Sequence, residues 1–477
     1  MFFQDGETVV FSNLFFLYVF FPLNIILYFL TESNKARNVI MLAFSLFFYA
    51  WGEPVWVGLL VLTAMLNWAL AQVIDRKKAE GKPGQAKAAL TAAIAVDLGL
   101  LGIFKYTGFF ISNLNFLFGT TLGDPGIVLP IGISFYTFQI ISYMVDVMRG
   151  TVPSQKAFYK FLMYVTMYHQ LVAGPIVRYE WIAEEIDHRP VNIPEAWGGL
   201  CRFCIGLTKK VVVANAAGSL ASRYLDKDFS GVSSAGALFG LLMFALQIYY
   251  DFSAYSDMAI GMGRLFGFHY MENFEYPYIS RSVTEFWRRW HISLSSFFRD
   301  YLYIPLGGKY RHQTRNILIV WLLTGLWHGA SWNFVLWGGY YGLLLIVEKR
   351  FLLKWLQKAP GWVGWLWSTL AVMGGWSLFY FTDMARLGAF FAALFAGSWY
   401  DPGLWAVIQN NALWLAAALA FCAPVVPWFA KAVNRQLGDG DRWRMVPAQL
   451  ALNCLLLLVC TALLVGQSYN PFLYYRF

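Results

Sequence analysis

Residues 316–349 read "NILIVWLLTGLWHGASWNFVLWGGYYGLLLIVEK". From Asn316 up to Glu348 the stretch holds no Asp, Glu, Lys or Arg. An apolar run of more than about 18 residues without charge reads as membrane-inserted. One ionisable side chain interrupts it, His328, with Gly325 and Gly329 on either side. An imidazole placed in hydrocarbon is costly and marks function by default. Small residues beside it let another helix or a substrate come close. The alternative is a structural histidine whose ring is satisfied by a backbone carbonyl.

The rest of the chain agrees with lipid as its solvent. Of 477 residues 58% are hydrophobic and 13% charged, where a soluble domain carries about a quarter charged. Aromatic content is 19%, with 21 Trp, enough for dense belts at both membrane interfaces. Apolar runs follow one another at residues 12–30, 38–51, 55–73, 88–117, 128–147, 158–177, 198–222, 235–263, 315–347, 362–381, 387–397, 408–430 and 446–467. Some are too short to span, so the expectation is an all-α polytopic membrane protein with about ten or eleven transmembrane helices plus re-entrant or interfacial pieces. No soluble domain or repeat is evident, and residues 1–477 read as a single integral-membrane domain with its motifs densest at 129–347.

The first run opens acidic rather than basic and is long enough to span, so it reads as a first transmembrane helix and not a cleavable signal. "TESNKAR" after it and "DRKKAEGKPGQAK" after the third run are basic, while "WGEP" between the second and third is not. Cytoplasmic loops collect Lys and Arg, which puts the N-terminus outside. Further basic junctions are "EKRFLLK" near 350 and "KAVNRQLGDGDRWR" near 435. The formal charge of +9 belongs to such loops and argues for no nucleic-acid partner. The five cysteines, 201, 204, 422, 454 and 460, all fall in apolar segments and read as packing.

A second histidine lies in "SVTEFWRRWHISLSSFFRDYLYIPLGG" from Ser282. Ser282 and Glu285 have the S-x-x-E form of a capping box, so a helix begins there. Glu285 and Arg289 form an i, i+4 pair, and Pro305 with the following glycines ends the helix. Drawn as one helix, Trp287, Trp290, Leu294, Phe298 and Tyr301 share a stripe less than about 90° wide, with His291 inside it. Arg288, Arg289, Arg299 and Asp300 fall outside. This predicts an amphipathic helix lying along the cytoplasmic interface with its histidine facing inward. An interfacial aromatic-basic belt with a hydrogen-bonded structural histidine is the competing reading.

His291 and His328 are 37 residues apart with no carboxylate or Cys at ligand spacing near either, so no metal site is expected. No G-x-S-x-G elbow, Walker A loop or H-E-x-x-H occurs. In "YYDFSAYSDMAIGMGRLFGF", Ser253 and Asp257 share a helical face and Arg264 returns to it at i+7, read first as a polar network and second as tunnel lining. Asp146 with Arg149, and Arg178 with Glu180, sit at span ends as anchors.

At the two histidines the sequence resembles the membrane-bound O-acyltransferase family, in particular its bacterial alginate O-acetylation branch. The matching text is "LPIGISFYTFQIISYMVDVMRG" (129–150), "HQLVAGPIVRYE" (169–180), residues 249–308, "GLWHGASWNFVLWGGYYG" (325–342) and "QSYNPFLYYRF" (467–477). The resemblance implies helices around a central tunnel or funnel, and transfer of an acyl group from a cytoplasmic thioester to an acceptor on the outer side. It places the catalytic histidine at His328 and the second motif histidine at His291. Trp327 and Asn333 lie in the same motif, and Arg288, Arg289 and Arg299, with Ser253 and Asp257, are candidate donor-binding or tunnel residues. The arginines, with Lys309 and Arg311, equally suit anionic lipid headgroups.

The resemblance further implies no bound cofactor, acetyl-CoA or an acyl-carrier thioester as donor, an SGNH-type periplasmic or extracellular partner, and a bacterial inner-membrane location. The acceptor polymer is expected to be alginate-like, with cellulose, another exopolysaccharide or peptidoglycan as alternatives. Two other function classes compete. A polysaccharide or lipid transporter predicts inverted repeats with matching broken spans, which the sequence lacks; a scaffold of a polymer synthase leaves the deep histidine without a purpose.

Overall fold

Glycine spacing decides what the 316–349 stretch becomes. The computed structural model describes residues 11–172, 174–428 and 445–466. In it the apolar run is two antiparallel helices, Gln313–His328 and Trp332–Val347, joined by a turn at 329–331. A Cβ at Gly325 would lie 2.2 Å from the Phe334 carbonyl oxygen, and one at Gly338 2.3 Å from that of Trp321. Only glycine at both positions lets the two backbones approach so closely. Each helix has 16 residues, about 24 Å of rise against roughly 30 Å of hydrocarbon. His328 is therefore the last residue of the first helix, at the tip of a hairpin. Before it, the Asn316 amide nitrogen, fully buried, lies 2.7–3.2 Å from the carbonyls of Leu306, Gly308 and Arg311 and closes the Pro-Gly loop.

Among the described residues there is no strand, and the protein is an all-α polytopic membrane protein. Among the described residues five helices are long and apolar enough to cross a bilayer: Trp56–Ala79, Pro83–Phe118, Ile193–Leu225, Ser234–Leu265 and Val446–Gly466. A sixth is counted if Pro402–Asn410 and Ala412–Ala420, bent by 70°, form one broken span. Other runs form shorter helices such as Phe158–Thr166, paired hairpins, or, like Gly361–Tyr380 with 20 residues, helices long enough to span but rich in Trp, Gly and Ser and so less strongly apolar. The terminal motif at 467–477 and the basic junction near 435 lie outside the described residues.

Contacts gather the chain into two units. The first comprises the described residues of Met1–Phe203, Ser256–Met271 and Arg299–Tyr301. Its aromatic core joins Phe16, Phe48, Tyr168, Phe203 and Phe266 to Tyr28. Arg189, 2% exposed, donates to the Tyr28 hydroxyl, the Asn38 carboxamide oxygen and the Glu185 carbonyl, which satisfies a buried guanidinium. At Gly199 and Gly261 two helices meet so closely that a Cβ on either would strike the other's carbonyl oxygen at 2.5–2.6 Å.

The second unit comprises the described residues of Cys204–Tyr255, Glu272–Phe298 and Leu302–Phe477 and contains the hairpin. Its core includes Trp287, Trp290, Phe334, Trp337, Tyr341 and Trp376. Lys210 and Asp251, 1% and 2% exposed, form an ion pair at 2.7 Å in this unit. Two charges at that depth persist because each neutralises the other.

We expect Gly325→Ala to overpack the hairpin at a cost of about 1–3 kcal/mol. Thermal unfolding of the purified protein in detergent should show a midpoint lowered by several degrees. An unchanged midpoint would mean the two helices are not held by that contact.

Candidate active site

The Ser282 hydroxyl accepts the Glu285 amide at 3.0 Å, and helix Val283–Arg289 starts there as the sequence predicts. Glu285 reaches back to the Arg281 amide at 2.9 Å and pairs with Arg289 at 3.0 Å. The single amphipathic helix expected to follow is not formed. It breaks at Trp290, which bridges antiparallel to Phe274, and resumes as Ile292–Phe298 and the π-turn Arg299–Tyr303. The segment around Asn273 takes over the backbone groups that a helix would have used. Glu275 donates its amide to the Arg289 carbonyl at 2.9 Å, and Ile292 donates to the Asn273 carbonyl at 3.0 Å.

His291 occupies the break at φ 46°, the left-handed region that costs a residue with a Cβ roughly 1–3 kcal/mol. It still faces inward, at 1% exposed, with its ring edge-on to Phe252 at 4.6 Å. It lies outside the spanning helices. Burial first, and His328 second, hold its imidazole well below the ordinary histidine value, so the ring is neutral.

His328 differs from it. The residue is half-buried, its ring having the Trp327 and Trp337 centroids each at 5.0 Å and that of Phe379 at 5.4 Å. The Trp327 ring is also 6.1 Å from His291. The two histidines and Trp327 thus come together. Asn333, fully buried, accepts a hydrogen bond from the Ser331 hydroxyl and donates to the Leu378 carbonyl at 3.2 Å. Its amide supports the turn behind His328.

One residue the sequence reading missed holds these parts together. Glu348, fully buried at the far end of the hairpin, accepts from the amides of Val283 and Thr284 at 2.7 and 2.8 Å. It also accepts from the Thr284 hydroxyl at 2.7 Å and the Trp367 indole at 2.8 Å. A lone acid closing a long apolar run was the available signal, since a buried carboxylate requires donors.

The remaining candidates separate. Arg288 is exposed, while Arg289 is engaged by Glu285 and the Glu275 carbonyl. Ser253 is buried, its hydroxyl without a hydrogen-bond partner among the described residues. In the first unit Asp257 pairs with Arg202 at 2.8 Å, a polar network as expected but with a helix other than its own. There too Arg299 pairs with Asp300, which also binds Arg178 at 2.7 Å, while the Tyr301 hydroxyl donates to Asp146 at 2.7 Å. The residues read as span-end anchors thus belong to one ionic cluster. No metal-holding group of His, Cys, Asp or Glu occurs among the described residues.

Residues 151–382 match the sequence model of the membrane-bound O-acyltransferase family. The chain is 35% identical, over 98% of its own length and all of the other's, to a probable alginate O-acetylase of Azotobacter vinelandii. It is 37% identical to that of Pseudomonas aeruginosa over 82% of this chain and 76% of the other. A peptidoglycan O-acetyltransferase of Helicobacter pylori is 33% identical over 72% of this chain and 71% of that protein.

The ionic cluster generates a pH expectation. Burial raises the Asp300 carboxyl, but hydrogen bonds from Arg299 and Arg178 outweigh it and leave the group below its ordinary value. A depressed folded-state value stabilises the fold above the unfolded value of about 4 and is lost as pH falls through the lower folded one. Asp300→Asn should cost about 1–3 kcal/mol near neutrality and flatten the acid limb of a melting-temperature profile. A variant whose acid limb overlays the parent's would refute the assignment.

Proposed function

The chain belongs to the membrane-bound O-acyltransferase family and is an O-acyltransferase; on that premise we propose that it takes an acetyl group from a cytoplasmic thioester for O-acetylation of a secreted, alginate-like polysaccharide. The observation that carries the reading is the half-buried His328, set at the tip of an apolar hairpin against Trp327 with His291 beside it. A half-buried residue is within reach of a substrate, where a fully solvated one would gain nothing from a dry site.

In this reading a ring nitrogen of His328 takes the proton of the acceptor hydroxyl while that oxygen attacks the thioester carbonyl carbon. The new C–O bond forms, the C–S bond breaks, and the proton passes to the departing thiolate. General-base assistance is worth roughly 10²–10⁴-fold, and positioning two substrates where water is excluded supplies the remainder. The residues need no resident cofactor for this chemistry; acetyl-CoA or an acyl-carrier thioester enters as substrate. Delivery to the polymer is assigned to an exported SGNH-type partner. The location we infer is the bacterial inner membrane, N-terminus outward.

For the donor's phosphates, Arg288 is the best placed of the three arginines because the residue is exposed. Arg289 and Arg299 already hold Glu285 and Asp300, so an incoming phosphate would have to displace a carboxylate.

His328→Ala should lower transfer of radiolabelled acetyl to polymer by about 10²-fold or more while the protein inserts and melts as before; retained transfer would exclude the general-base role. Arg288→Glu should raise the KM for the donor several-fold with little change in kcat. An unchanged KM would move the donor's phosphates elsewhere.

A further inference from the structure

Asn273 is fully buried and sits 18 residues before His291 in sequence. Its carboxamide oxygen lies 3.2 Å from the Ser293 amide nitrogen, 2.9 Å from the Ser293 hydroxyl and 3.1 Å from His291 Nδ1. A backbone amide can only donate, so the carboxamide atom facing it is the oxygen and not the NH₂. That fixes the next partner. An amide oxygen beside an imidazole nitrogen is favourable only if the nitrogen carries hydrogen, so the proton of His291 is on Nδ1. A neutral imidazole has one such proton, which leaves Nε2 as the bare, basic nitrogen. The Ser293 hydroxyl, 3.5 Å from Nδ1 but 2.9 Å from the Asn273 oxygen, donates to the nearer acceptor and does not disturb the assignment.

The same residue holds the backbone. Its main-chain carbonyl takes the Ile292 amide at 3.0 Å, so both residues after His291 hydrogen-bond to Asn273. That is the support a left-handed, non-glycine residue requires if its ring is to stay in one orientation.

We propose that Asn273 is a positioning residue for acyl transfer: it locks His291 in the Nδ1–H tautomer, so that the second histidine works through Nε2 as a hydrogen-bond acceptor and not as an N–H donor. The proposal rests on the reading of His291 as part of the transfer machinery. Its chemical consequence is definite. A neutral ring in this tautomer cannot donate from Nε2 to the thioester carbonyl. It can hold the hydrogen of a hydroxyl or a thiol.

The test uses the full chain in lipid nanodiscs with ¹⁵N-labelled histidine, of which there are six, the His291 signals being those lost in His291→Ala. The parent should show a protonated Nδ1 and an unprotonated Nε2. Asn273→Leu removes the acceptor, so the proton should redistribute to Nε2 and acetyl transfer fall roughly 10- to 100-fold, the loss usual for an orienting partner. Asn273→Asp keeps an acceptor oxygen, and should retain the Nδ1–H signal and recover most of that loss. A parent ring protonated at Nε2 overturns the proposal, whether or not the leucine variant folds. So does an Asn273→Leu variant that loses its tautomer without losing transfer. If His291→Ala transfers acetyl normally while the tautomer is as assigned, the premise about His291 has failed, and the lock is structural only.

Discussion

The arrangement depends on a buried carboxylate that has four donors. Glu348 is taken fully out of solvent, which for an ion is affordable only when hydrogen bonds replace the lost water. Two of its donors are the first amides of helix Val283–Arg289, groups that no intrahelical carbonyl can satisfy. The other two come from Thr284 and Trp367. One side chain thereby ties the base of the hairpin, the start of the His291 segment and helix Gly361–Tyr380. Removing it would strand three amide or indole hydrogens and a hydroxyl in an apolar interior, so its loss would act on both histidines together.

The glycines then set the distances. With Gly325 and Gly338 in contact range of the opposite backbone, the hairpin cannot open or slide without losing its packing. Gly329, whose Cβ would strike the Phe334 ring at 2.2 Å, leaves that ring room directly after His328. The second histidine is fixed by a different device, an unfavourable backbone angle stabilised by Asn273. Rigid packing on one side and supported strain on the other bring both rings against Trp327.

Much of this was legible. Most apolar runs became helices close to their expected bounds, since hydropathy over a long window reports burial in lipid or protein whatever the tertiary contacts. The cap at Ser282 and the Glu285–Arg289 pair were also legible, being local. What the sequence hid was set by distant partners. The helix break at Trp290 needs Phe274 and Asn273, which no periodicity around His291 reveals. The hairpin turn falls in Gly-Ala-Ser, too apolar to interrupt the run. The partner of Asp257 is Arg202, 55 residues away, where a search along the same helix offered Arg264. Likewise Lys210 and Asp251 lie on different helices, and each in isolation reads as an error in an apolar pattern.

Why two histidines, placed so differently, should serve one reaction follows from where each ring sits on its backbone. His328 ends a 16-residue helix, in the last turn, where unsatisfied carbonyls gather partial negative charge. A positive charge arriving there with a proton is favoured by about 0.3–1 kcal/mol, and somewhat more in a partly buried geometry. His291 sits instead between the end of helix Val283–Arg289 and the start of Ile292–Phe298, sealed from solvent, with its Nδ1 hydrogen already committed to Asn273. Adding a proton to that ring would place charge in a buried site against Phe252 and Trp327. On the proposed mechanism the proton of an attacking hydroxyl goes to His328, while His291 stays neutral and fixed.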